Sequence, residues 1–424
     1  MRRIGLLTTV ALLLGGGAAQ AADLTVWGLQ AFNQAADAYI GELVKEFGAA
    51  KKIDAVYVVV PASVINDRLA ASFQGNAPPD AFMQVSQRAQ FYIGNNLTVP
   101  LDDVLAQMRA VPGGIFENQI AVGRAGDTVQ ALPLEVDVSP MFTRKDLLDE
   151  IGKGVPQTWE ELREDAKLIQ AKHPQVSGFG MTVSNANDAE GQIRNVIWSF
   201  GGKVMGEDGK SVTFDSAETR AAYQFVADMF LVDRTIPRAA LTWDDSGNNI
   251  AYQTGRAAFV INPPSIWYWM VDNDKTLLGN SMMVSVPKGP GPKGTIGNAV
   301  GSWVWQVAKA SKHPDYAKEW LRFFYAPEHY RTIIEKVGGR WAPIYPEMLK
   351  QLPLFASNPA FADFDKLARN GFTDGYAGPP NVLAGRVYDA NILTKVLQKV
   401  LVDHEAVGEA VSWGQKEIEA LAKG

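Results

Sequence analysis

Two pairs of carboxylates have the most chemical reach in this sequence. Glu135 and Asp137 stand two residues apart, and Asp244 and Asp245 are adjacent. One protonated and one ionised carboxyl can work as general acid and base on a glycosidic bond. The same groups can accept hydrogen bonds from a ligand's hydroxyls, or simply be solvated. Residues i and i+2 of a strand share a face, so Glu135 and Asp137 would act together in any of these roles. Other catalytic patterns are missing: there is no G-x-S-x-G, P-loop, H-E-x-x-H or Rossmann G-x-G-x-x-G. With no cysteine, thiolate nucleophiles, disulfides, Fe–S clusters and a lipid-modified N-terminal Cys are excluded. The four histidines, His173, His313, His329 and His404, are scattered without ligand spacing. No metal, cofactor or catalytic residue is expected.

Aromatic side chains give a second signal. Trp198 and Trp320 fall in helical patterns and read as core. Trp27, Trp243, Trp267, Trp303 and Trp341 sit at strand ends or in loops, beside polar residues or Gly. Aromatic faces stack on the C–H faces of pyranose rings, while amides, carboxylates and guanidinium groups read the hydroxyls.

The elements that must position these groups begin with an alternation. Leu24 to Trp27 reads as a strand, Ala35 to Phe47 has helical spacing, and Asp54 to Val60 is an apolar run expected of a strand buried on both faces. Ser63 to Phe73 is again helical, and Ala81 to Val85 is a third strand. This βαβαβ order predicts an open parallel sheet. Ligands bind beyond the carboxyl ends of such strands. Those ends offer Trp27, Gln30, Ser63, Gln84 and Ser86, a neutral polar set that suits a polyhydroxyl ligand better than a phosphate or a cation. Further on, Ala131 to Val138, Gly178 to Val183, Ala257 to Asn262 and Ser302 to Ala308 read as strands. Asn187 to Phe200 reads as a helix. Thr158 and Glu161 have capping-box spacing, as do Asp215 and Glu218. Pro314 suits the first turn of a helix.

The chain's 424 residues leave room for two to three domains, and 47% apolar with 20% charged residues is an ordinary globular balance. A net charge of −6 without a basic stripe argues against nucleic acid. Arg2 and Arg3, the uncharged run Ile4 to Leu14 and Ala19-Gln20-Ala21 fit a secretory leader over residues 1–21, cleaved near Ala21/Ala22. No later segment is apolar enough to span a bilayer, so a soluble periplasmic product is expected.

Several segments carry a family likeness. They are Asn76-Ala77-Pro78-Pro79-Asp80, Leu97 to Leu105, Leu132-Pro133 through Lys145, and Pro156-Gln157-Thr158-Trp159-Glu160-Glu161-Leu162. Gln253 to Phe259, Ala310 to Phe324 and Gly338 to Pro343 complete the series. In this order the chain resembles the extracellular solute-binding proteins of ABC transporters, in the carbohydrate-binding family. Asn96 stands where that family usually has Gly, and Thr143-Arg144-Lys145 replaces its commoner Tyr-Asn-Lys.

The resemblance implies an α/β fold of two lobes joined by crossing strands, closing on ligand about a hinge. The first lobe would span 22–134 plus 294–338, the second 135–293 plus 339–424. Cleft positions implied in the first lobe are the strand-end set with Gly301, Ser302 and Trp303. In the second they are Glu135, Asp137, Trp243, Asp244, Asn262, Trp267, Arg340 and Trp341, with Arg340 the cation that grips hydroxyls or an acidic group. The implied function is capture of a sugar, from mono- to oligosaccharide or a polyol, by a monomer that delivers it to ABC permease subunits. A polyamine carrier and, behind it, a periplasmic carbohydrate-active enzyme are the alternatives.

Overall fold

The chain alternates strand and helix from its first described residues, and the apolar faces this creates close around two sheets. The structure, a computed structural model, describes residues 22–423 apart from 32–33, 62–63, 359–360 and 362–363. The expected leader and Ser63 therefore lie outside the described residues. The strands are, in chain order, β1 Leu24–Leu29, β2 Ala55–Val60, β3 Ala81–Val85, the ribbon β4 Arg124–Ala125 and β5 Thr128–Val129, β6 Leu132–Pro133, β7 Asp137–Val138, β8 Met141–Arg144, β9 Ser177–Phe179, β10 Ala257–Ile261, β11 Ser281–Val284, β12 Val300–Gly301 and β13 Trp303–Val307.

The first sheet has the order β2-β1-β3-β13-β6. Its β1, β2 and β3 are parallel, as the βαβαβ pattern predicts, and β13 runs antiparallel to β3. The crossover helix Gln34–Lys51 buries Ala36, Ile40, Leu43, Val44 and Phe47 on one face. The expectation for β2 needs correction. It is not buried on both faces but is the edge strand, with Val56 40% and Val59 39% exposed. An apolar run records β preference; it does not say whether a strand lies inside a sheet or at its border.

The second sheet has the order β11-β8-β10-β9, and its middle strand β10 is buried at every residue. Gly178 to Val183 forms a strand only over Ser177–Phe179. The helix Trp159–Lys172 opens on the expected capping box, with Thr158 accepting from the Glu161 N–H and Glu161 reaching back to the Thr158 backbone. The other expected box is a correction: Ser216, not Asp215, caps the helix Ala217–Ala227. Asp215 pairs with Arg220 at 2.7 Å instead, because a guanidinium satisfies both carboxylate oxygens at once.

Residues 131 to 138 do not form one strand. They split into β6, which pairs with β13, and β7, which pairs with β12. The chain thus leaves the first sheet between β6 and β7 and returns to it between β12 and β13. A third pass joins them, with the Val136 N–H donating to the Ala342 carbonyl at 2.9 Å. Three chain passes side by side form the waist between the two sheets. Beside it, the helix Ser86–Gly94 from the first sheet's side meets the helix Val382–Asp389, whose Ala384 and Val387 pack into the core of the second. A Cβ at Gly385 would stand 2.5 Å from the Gln87 carbonyl oxygen, so glycine permits this approach.

Candidate functional site

The waist holds most of the charge that sequence reasoning singled out. Glu135 is 1% exposed. Its Oε1 accepts the Trp303 N–H at 2.8 Å, and its own N–H donates to the Ser302 hydroxyl at 3.3 Å. The Arg340 guanidinium lies 5.6 Å from the Trp303 ring centroid, and Trp341 packs edge-on to the same ring at 5.4 Å. Burial raises the Glu135 carboxyl well above the usual carboxylate range; the neighbouring Asp137 adds to this, while the Trp303 N–H and Arg340 oppose it. Asp137 is pushed up to about 6 by burial, with Arg340 pulling it back. One cation thus stands among Glu135, Asp137 and Asp37, all of which interact with it.

Beyond the waist, between the sheets, is a cavity of about 140 Å³. Gln87, Gly301 and Val300 line it from one side. The helix Asn187–Ser199 supplies most of the opposite wall through Asn187, Asp188, Gln192, Arg194, Asn195 and Trp198. These recur every three to four residues, so they share one helical face. Asp137, Asn262, Phe372, Asp374 and Tyr388 are also in the lining.

The helix's polar face is tightly bonded. Gln192 accepts from Thr182 N at 2.8 Å and donates to the Ile261 carbonyl at 3.0 Å. Asn195 accepts from Ala299 N at 2.6 Å and donates to the Gly191 carbonyl at 3.0 Å. Asn262 accepts from Asn248 at 2.9 Å and donates to the Ser265 hydroxyl at 2.9 Å. Arg194 pairs with Asp374 and, at 3.5 Å, with Glu190, while its guanidinium lies against Trp198 and Tyr388.

The carboxylates facing the cavity are different. Asp137 Oδ1 and Asp188 Oδ2 are both buried without a hydrogen-bond partner, and so is the indole N–H of Trp198. Burial is the largest influence on Asp188, followed by repulsion from Asp245. Asn248 opposes them, Asp137 and Asp244 add to the rise, and the carboxyl is pushed up to about 8. The site therefore offers acceptors and aromatic surface. Among the described residues no group of three or more His, Asp or Glu side chains could hold a metal ion.

Of the residues expected at a cleft, Asp137, Asn262 and Gly301 line this cavity. Ser86 stands next to it: its N–H donates to the Ser302 carbonyl at 2.9 Å. Glu135, Ser302, Trp303, Arg340 and Trp341 form the waist. Trp243 and Asp244 line a neighbouring open trough with Asn185, Asp245 and Asn391; Asp244 accepts from Ser246 N at 2.9 Å. Trp27 lies in β1, partly buried against the first sheet's core. Gln30 N donates to the Val60 carbonyl at 3.0 Å. Gln84 is buried and donates to Asn66 at 3.0 Å. Trp267 packs edge-on to Phe361 in the core, away from the cavity. Among the cavity residues not expected from the sequence are Gln87, Asn187, Asp188, Gln192, Arg194, Asn195, Trp198, Phe372, Asp374 and Tyr388. A polar stripe at helical spacing over 187–198 was the available signal.

The chain was compared with known proteins. The model for the bacterial extracellular solute-binding protein family matches residues 31–330. A Deinococcus radiodurans protein described as an ABC transporter-binding protein is 24% identical over 316 residues, covering 72% of this chain and 71% of that one. A maltose-bound MalE3 from T. maritima superposes with a TM-score of 0.79 at 20% identity, covering 94% of this chain and 99% of the other. A solute-binding protein from Agrobacterium radiobacter in complex with ribitol gives 0.78 at 20% identity, covering 94% and 98%. These last two likenesses establish a two-lobe fold in common.

Proposed function

The chain belongs to the bacterial extracellular solute-binding proteins, and from that premise we propose that it captures a sugar or polyol between its lobes and delivers it to an ABC permease. One observation carries this reading: a small polar and aromatic cavity lies at the junction of the two sheets and is lined from both sides. The comparisons support the ligand class, since the related structures hold maltose and ribitol. The cavity's size favours a short ligand, because a comparable engineered cavity of ~150 Å³ takes a molecule as small as benzene. On this reading the protein binds and releases without chemistry. Its lobes are 22–134 with 294–338 and 135–293 with 339–424, meeting at the three passes of the waist.

The leader over residues 1–21 is removed near Ala21/Ala22, and the product is a free periplasmic monomer. Among the described residues no helix is long and apolar enough to cross a membrane. Mass spectrometry of the exported protein should return Ala22 as its first residue.

Thermal unfolding against sugars, polyols, polyamines and amino acids tests the ligand class. A ligand at 100 times its Kd stabilises by about 2.7 kcal/mol, a rise of several degrees. A shift with sugars or polyols is expected. A second reading, a polyamine ligand, is favoured by the carboxylates at the cavity, and shifts with polyamines alone would replace the sugar reading by that one.

A further inference from the structure

The cavity's polar groups are not balanced, and the imbalance bears on what enters it. Its amide and guanidinium donors are largely committed to the protein, and the Trp198 indole N–H is a buried donor without a partner. The Gln192, Asn195 and Asn262 amides each donate to a neighbouring protein oxygen, and Arg194 is held between Glu190 and Asp374. Two of its acceptors are not: Asp137 Oδ1 and Asp188 Oδ2 are buried without a hydrogen-bond partner, Asn248 being the side chain that hydrogen-bonds the Asp188 carboxyl. Charge leans the same way. Asp188 is faced by Asp245, Asp244 and Asp137, all of one sign. Asp137 has Arg340 nearby, but Arg340 is shared with Glu135 and Asp37. Arg194 adds no surplus, since two carboxylates already flank it.

A neutral ring would leave the Asp188 carboxyl in its raised, protonated state. Its hydroxyls could donate to the two free oxygens and accept from the Trp198 indole N–H. An ammonium group has three donors and no acceptor, and as a cation it favours the ionised form of both carboxyls. Aromatic lining from Trp198 and Phe372 suits the C–H face of a ring beside it.

We propose that the ligand is a single-ring amino sugar whose protonated amine is received by Asp137 and Asp188. This rests on the sugar reading and narrows it. Burial and mutual repulsion that hold Asp188 protonated in the free protein would be reversed by a cation at van der Waals distance.

The test is calorimetric titration of the mature protein at pH 7 with glucosamine, galactosamine and mannosamine, each against its neutral hexose and its N-acetyl form. At least one amine should bind about tenfold or more tightly than both uncharged counterparts, as a charge-assisted contact requires. In Asp188→Asn and Asp137→Asn that preference should fall to near unity, with circular dichroism reporting that each variant is folded. The comparison within the wild-type protein stands even where a variant does not fold. A neutral hexose binding as tightly as its amine overturns the inference and leaves the sugar reading intact. Silence from all three amines likewise overturns it, and binding of spermidine alone removes the sugar reading as well.

Discussion

At the scale of single residues, the site is governed by carboxylates held out of water. The Asp188 carboxyl is raised to about 8, chiefly by burial and next by Asp245. A folded-state value above the unfolded one means that stability is fully present below about pH 4 and drains away as pH rises through about 8. An amide at this position has no such loss. Asp188→Asn should therefore gain on the wild type between pH 4 and pH 8, by on the order of 2 kcal/mol at the upper end after allowance for residual solvent contact. Urea unfolding at a series of pH values reads this directly, and a constant difference would refute it. Arg340 carries the opposite duty. Removing it in Arg340→Ala leaves Glu135 and Asp137 as buried acids without their cation, which should cost roughly 3–5 kcal/mol. A variant within about 1 kcal/mol of wild type, the scale of an exposed pair, would show that the waist does not depend on that charge. Asp137 was visible in the sequence as one of two carboxylates on a strand face, and Arg340 as a cleft residue implied by the family resemblance. Their burial was not, since burial belongs to the three passes that meet there.

At the scale of elements, the sequence was most informative where a signal is local. The capping box at Thr158 and Glu161 is one such signal, and Pro314 at the head of its helix is another. Thr158→Ala should lower stability by about 1 kcal/mol by orphaning the Glu161 backbone N–H, seen as a shift of the urea midpoint at constant slope. Signals that need a partner from afar were illegible. The edge position of β2 depends on which strand sits beside it. The wall built by Asn187, Asp188, Arg194 and Asn195 needs the face of a helix to be turned toward Phe372 and Asp374, far along the chain. That helix also depends on a glycine. A Cβ at Gly297 would meet Ser199 N at 2.3 Å and the Asn195 carbonyl oxygen at 2.7 Å. Both are backbone atoms, so Gly297→Ala must displace the helix end or the loop. We expect destabilisation of about 1–3 kcal/mol together with weaker ligand binding, because the displaced helix lines the cavity. Weakened stability with unchanged affinity would separate the two effects.

At the scale of the whole molecule, the two halves touch at the waist and again where the helix Ser86–Gly94 meets Val382–Asp389. There Arg88 pairs with Asp389 at 2.9 Å across the divide, both side chains partly exposed. A pair of this kind is worth roughly 0.2–1 kcal/mol. If it favours the closed arrangement by that amount, Arg88→Ala should weaken ligand binding by roughly 1.4- to 5-fold through a smaller closed population. Neither Arg88 nor Asp389 lines the cavity. Small-angle scattering of the free variant should show a larger radius of gyration than the wild type, and an unchanged radius with unchanged affinity would show that this contact is idle.

The three passes of the waist also set an order of assembly. All four strands of the second sheet lie between Met141 and Val284. The first sheet has to wait, because β13 inserts between β3 and β6 only after the whole of that second sheet has intervened. A chain emerging from its N-terminus would hold β1, β2 and β3 with one border of β3 unpaired until Val307, the last residue of β13, is available. Contacts so distant in sequence form slowly, and an open strand border invites pairing with another chain. The sheet that begins first is therefore the sheet that finishes last, and the time its border stays unpaired is the interval during which a holding chaperone would matter.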